Sequence, residues 1–171
     1  KDFKGNVNIG NNADVASTKL LIKDEKSLGV DNTVNIANKG ILFLTSNDQV
    51  TFNHQLKGTG IFATNLSGHE LTMGKGSQFN GANFEGTLAL TDTKFVLNGG
   101  DNTTAVTKAI VQANQKSIVT VADGKGVQNI GGLEINAGEV NFENKLSNLS
   151  GNKANGYIST GKLDTSKTGK L

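Results

Sequence analysis

Imidazole is the side chain whose ordinary titration lies nearest neutral pH, so acid–base chemistry here would begin at two histidines, His54 in "FNHQL" and His69 in "LSGHEL". A serine-hydrolase relay also needs a nucleophile and an orienting acid in the same place. Ser67 stands two residues before His69, but two such residues on a strand share a face without the geometry of attack, and no Gly-x-Ser-x-Gly elbow occurs. Both histidines are therefore expected at surface or turn positions. Zinc is poorly served by two His, no Cys and no His-Glu-x-x-His. The lack of Cys also removes thiol nucleophiles and disulfides.

Other chemical signals are equally thin. "NGGDN" at 98–102 carries one fragment of a calcium-binding nonapeptide without the rest, and "GKGSQF" lacks the spacing of a phosphate loop. A polysaccharide lyase or hydrolase needs carboxylates gathered on adjacent coils. The acidic residues Asp14, Asp24, Asp48, Asp92 and Asp123 are instead scattered. Asn-x-Ser/Thr occurs at Asn65, Asn102 and Asn148, as chance allows in so Asn-rich a chain. No catalytic, cofactor-binding or metal residue is assigned, no cofactor is expected, and ligand-binding residues are not identified. The expectation is a non-enzymatic protein, with a β-helical polysaccharide-active enzyme as the rival.

The elements that would position any site are short strands. In "GGLEINAGEVNF" apolar residues stand at 133, 135, 140 and 142. The same spacing fits "LALTDTKFVL" as Leu88, Leu90, Phe95 and Leu97, and "VNIANKGILF" as Val34, Ile36, Ile41 and Phe43. Between them lie brief alternations: "GNVNI" at 5–9, "KLLI" at 19–22, "QVTF" at 49–52, "ELTM" at 70–73 and "SIVTVA" at 117–122. Strands this short are stable when each stacks on its equivalent in the next coil, so that ladder bonds run between coils around one narrow core. The 22 Gly and abundant Asn suit tight bends, and the absence of Pro suits unbroken ladders. The fold class expected is all-β, a right-handed parallel β-helix (solenoid), the hand following from the crossover rule. An antiparallel sandwich is the alternative, with longer strands and hairpin dipeptides.

One stretch departs from this pattern. In "DNTTAVTKAIVQANQKS", 101–117, Ala105, Val106, Ala109, Ile110 and Ala113 form a helical stripe, with Asp101 or Thr103 as cap. It reads as a short helix or loop thrown out from one coil, either a ligand-contacting protrusion or a packing loop.

Composition bounds the partners. The net charge is +2, and all 17 basic residues are Lys, spread from Lys1 to Lys170. Without Arg, bidentate phosphate recognition is absent, so no nucleic-acid partner is expected. No stretch is long and apolar enough to insert in a membrane, and no signal peptide is visible. The chain opens on Lys1, and 1–171 is read as a single solenoid segment, an excised piece of a longer protein.

"QLKGTGIF" at 55–62, "FNGANFEGTLAL" at 79–90, "GGLEINAGEVNF" at 131–142 and "TSKTGKL" at 165–171 resemble the degenerate repeats of bacterial autotransporter (type V secretion) passenger domains. Those repeats run Leu-x-Gly-Thr-Gly, Gly-x-x-x-Leu, Phe-x-Gly and Ile-x-x-Gly-x-Leu. The resemblance implies a β-helical passenger carried across the outer membrane by a C-terminal barrel to the cell surface or the extracellular space. It implies an adhesin-like role as stiff stalk and binding surface, with a host surface protein or glycan, or another passenger, as partner. A two-partner-secreted, haemagglutinin-like adhesin is the neighbouring alternative. Open coil ends would also favour end-to-end association.

Overall fold

A computed structural model describes residues 3–11, 17–74, 83–125 and 128–143, and the main chain of 158–159. The chain winds as a parallel β-solenoid of about five turns, its strands falling on three faces. The first coil contains β1 (Val7–Ile9), β2 (Thr18–Ile22) and a 3-10 turn, Glu25–Leu28. The second has β3 (Thr33–Ile36), β4 (Gly40–Thr45) and β5 (Val50–Phe52), and the third β6 (Gln55–Lys57), β7 (Ile61–Asn65) and β8 (Leu71–Met73). Then follow β9 (Thr87–Thr91) with β10 (Lys94–Leu97), β11 (Ile110–Ala113) with β12 (Ile118–Val121), β13 (Gly132–Ile135) with β14 (Glu139–Phe142), and β15 (Ile158–Ser159).

The first face is β1-β3-β6, and the broad face is a seven-stranded sheet, β15-β13-β11-β9-β7-β4-β2. The third face joins β5-β8 to β10-β12-β14 through a bridge between Glu70 and Lys94. All described pairings are parallel, as ladders between coils require and an antiparallel sandwich would not. Val7 faces Val34 and Ile41 faces Ile61, so a turn takes between 20 and 27 residues.

Register turns the alternation of apolar residues into columns. Leu42, Phe62, Leu88, Val111 and Leu133 stack through the broad face at 1% exposure or less, and Leu44, Thr64, Leu90, Ala113 and Ile135 stack beside them. Phe95, Val119 and Val140 form the matching column on the third face. Each large aliphatic or aromatic side chain so buried contributes roughly 1.5–3 kcal/mol. Thr64 is the polar member, and its hydroxyl meets Thr93 Oγ1 at 2.8 Å. At the corner between first and broad faces there is no room for side chains: a Cβ on Gly60 would stand 2.4 Å from Ala37 O, and one on Gly86 2.0 Å from Gly60 O. This packing explains the glycine that closes "KGTG".

Three sequence expectations need correction. Leu88, Leu90, Phe95 and Leu97 are all buried, and so are Leu133, Ile135 and Val140; Phe142 is in register with the inward Leu97 and Val121 but, in the last coil whose side chains are described, is 37% exposed. The unit at 34–43 bridges a different pair of faces, first to broad, and its corner is one residue longer. Val34 and Ile36 point inward, but Leu42 and Leu44 fill the core while Ile41 and Phe43 look outward. The stripe at 101–117 is not one helix. Helix α1 covers Asp101–Ala105, and Ile110–Ala113 is a strand of the broad sheet. Neither Asp101 nor Thr103 caps α1, whose N-cap is Gly100 without a side-chain bond. "TSKTGKL", Asp14, Asn148, residues 79–82 of "FNGANFEGTLAL" and all of "GKGSQF" except Gly74 lie outside the described residues.

Candidate functional site

The two histidines have different fates. His54 sits at the bend between β5 and β6, a turn position as expected, but it is buried there, 1% exposed, and not at the surface. Its Nδ1 lies 2.6 Å from Asn32 Oδ1, and its Nε2 lies 2.9 Å from the Glu25 carbonyl and 2.8 Å from Glu25 Oε2. Asn32 Nδ2 in turn donates to the carbonyls of Gly5 and Leu28. Phe52 packs edge-on against the ring, centroids 5.1 Å apart. The arrangement ties together residues of three coils. With both ring nitrogens facing acceptors inside the protein, His54 offers none to a substrate. Its signal in the sequence was the interval from Asn32: 22 residues, one coil, each residue preceding a first-face strand.

His69 is exposed, as expected, and its Nδ1 lies 2.9 Å from the Leu66 carbonyl. It and Ser67 flank Gly68 at a corner where Ser67 donates through Oγ to Asn47 Oδ1 at 2.9 Å.

The insertion at 101–109 settles inward. It lies between β10 and β11, where other coils place a first-face strand. Asn102, 1% exposed, accepts from Met73 N–H at 2.7 Å and donates to the Val96 carbonyl at 2.8 Å, replacing ladder bonds with its amide. Thr103 donates to Gln128 Oε1 at 2.7 Å, and Gly99 N–H donates to both. Asn102 and Thr103 are thus parts of the core, as a packing loop requires.

The acidic residues serve their own turns. Asp24 accepts from Lys26 N–H at 2.9 Å, Asp123 accepts from Gly124 N–H at 2.8 Å, and Asp92, at φ 46°, makes the tight corner after β9. Among the described residues no group of three His, Cys, Asp or Glu is placed to hold a metal ion.

What the fold does assemble is a concave corner between the broad and third faces. The loop at 46–49 lies beside the corner at 66–70 of the next coil, to which Ser67 and Asn47 join it. On one side it leaves a cleft of about 430 Å³ reaching Lys23, Asp24, Glu25 and Asn53. On the other is a cleft of about 510 Å³ reaching Asn65 and Ser67. Lys23, Ser46 and Asp48 line both. Farther along the same corner, Thr91, Asn114, Gln115 and Asn136 line a cleft of about 340 Å³. Asn136 Nδ2 donates to Asn114 Oδ1 at 3.1 Å there, so the amides form a ladder of their own. Sequence reasoning missed this surface because polar corner residues carry no periodic mark.

No family model matches the chain, and no solved structure matches it. It is similar to two proteins of Escherichia coli (strain K12). The uncharacterized protein YuaQ is 38% identical over 141 residues, covering 82% of this chain and 9% of YuaQ. The uncharacterized lipoprotein YdeK is 34% identical over 134 residues, covering 76% of this chain and 10% of YdeK. The chain therefore spans about a tenth of the length of these relatives.

Proposed function

We propose that the chain is a non-enzymatic segment of a bacterial surface or secreted protein, of the autotransporter-passenger kind, serving as stiff stalk and adhesive surface. The observation that carries this reading is the continuous parallel stack of coils with a polar, concave outer corner. A stack in which each coil bonds to the next along the axis holds its outer surface at a distance from an anchor. The buried, fully engaged His54 and the inward α1 support a structural use of residues that would otherwise be candidates for chemistry. The lipoprotein designation of YdeK supports an envelope location.

Beads coated with the purified chain should adhere to cultured host cells or to each other, and beads coated with heat-denatured chain should not. Equal adhesion of both would refute the reading. Release of reducing ends or unsaturated sugars from an acidic polysaccharide panel would replace it with a polysaccharide-active enzyme.

A further inference from the structure

We propose that the corner between the broad and third faces binds a neutral oligosaccharide lying along the solenoid axis. This rests on the adhesive-surface reading and names its ligand class. With coils about 4.8 Å apart, the five steps from Lys23 in the first coil to Gly138 in the last described coil span about 24 Å, an elongated track.

The chemistry of that track selects among ligands. Asn47, Asn65, Gln115 and Asn136 offer amides, each both donor and acceptor, interspersed with the hydroxyls of Ser46 and Ser67. A sugar hydroxyl likewise donates and accepts, so such a surface matches it group for group. Charges lining the track balance, with Asp24, Glu25 and Asp48 against Lys23, Lys26 and, farther along, Lys116, so no excess of positive charge favours a polyanion over a neutral chain. The apolar side chains lining these clefts are Val50 and Ala137, too small to act as the buried aromatic anchors on which protein partners depend. Strand addition is also excluded at this corner, since the strands on either side are already paired between coils. Without an aromatic platform, single-site affinity is weak, and useful adhesion comes from repetition.

The experiment is NMR titration of the 15N-labelled chain with neutral hexasaccharides (maltohexaose, cellohexaose, mannohexaose) and with a heparin-derived hexasaccharide. The expected result is fast-exchange shifts of corner amides, Asn47 and Asn65 among them, with at least one neutral sugar and none with the heparin fragment. The double substitution N47A/S67A should weaken that binding at least five-fold while leaving the melting temperature within a degree or two. Three outcomes overturn the proposal: no shifts with any neutral sugar at tens of millimolar, shifts confined to another face, or binding by the heparin fragment alone. Bead adhesion measured in parallel separates the two readings. Adhesion that persists when neutral sugars do not bind sinks the glycan assignment alone, and loss of adhesion sinks both.

Discussion

His54→Ala tests whether the buried ring fastens the first coils. The substitution leaves Asn32, 4% exposed, with an Oδ1 that has lost its partner at 2.6 Å. An orphaned buried acceptor costs about 1–3 kcal/mol. Loss of the edge-on contact with Phe52 adds about 0.5–1.5 kcal/mol. Glu25 keeps some access to water, with its side chain 13% exposed, so its lost contact is discounted. The total is about 1.5–4.5 kcal/mol, which for a domain of this size lowers Tm by about 3–18 °C. Because a solenoid is coupled mainly between neighbouring coils, the loss should also be local. Hydrogen exchange should quicken at the ladder amides of β1, β3 and β6 and stay slow in β12. His69→Ala, at an exposed position, should change stability by no more than about 0.5 kcal/mol. A His54→Ala variant within about 0.5 kcal/mol of the parent, or one in which protection falls equally along the whole stack, would refute the fastening role.

Asn102→Ala should cost about 1–3 kcal/mol in a denaturant titration, since Met73 N–H and the Val96 carbonyl both lose their partner. Gly86→Ala places a Cβ 2.0 Å from the Gly60 carbonyl, so the main chain must shift, and a melting temperature equal to the parent's would contradict the packing described. The Thr64–Thr93 pair should respond asymmetrically. Thr93 Oγ1 donates to the Thr91 carbonyl, so Thr64 is the donor between the two hydroxyls. Thr64→Val leaves Thr93 bonded and sits between Leu44 and Leu90, so it should be neutral or stabilising; Thr93→Val orphans the buried Thr64 hydroxyl and should cost about 1–3 kcal/mol, with equal effects counting against the assignment.

The fold was legible where side-chain alternation and corner length agree. Leu88, Leu90, Phe95 and Leu97 repeat the pattern of Leu133, Ile135 and Val140 because both units cross the same corner, from broad to third face. The unit at 34–43 matched by count but crosses a longer corner, and a one-residue change flips every side chain beyond it to the other face. The stripe at 105–113 misled in another way. Ala105 and Val106 face the core from a helical turn and Val111 and Ala113 from a strand, so burial is continuous while the period changes beneath it. His54, Asn102 and Gln128 were unreadable individually, because polar residues default to solvent. Their burial depends on a partner about one coil away, and that distance is known only once the register is known.

These buried polar groups also bear on where recognition sits. The apolar columns specify that strands stack, but Leu over Phe over Leu tolerates many combinations. Asn32 with His54, Asn102 with Met73, and Thr103 with Gln128 each join residues 22 to 29 apart and are satisfied in one register only. They lie inside the coil, whereas Ser46, Asn47, Asp48 and Ser67 lie on the outer corner, where the side-chain bond between coils, from Ser67 to Asn47, is open to water. Changing those outer residues therefore leaves the core untouched and removes only water-exposed bonds between coils. The outer corner can be rebuilt for a different ligand at little cost in stability, and this separation suits the solenoid to presenting a recognition surface.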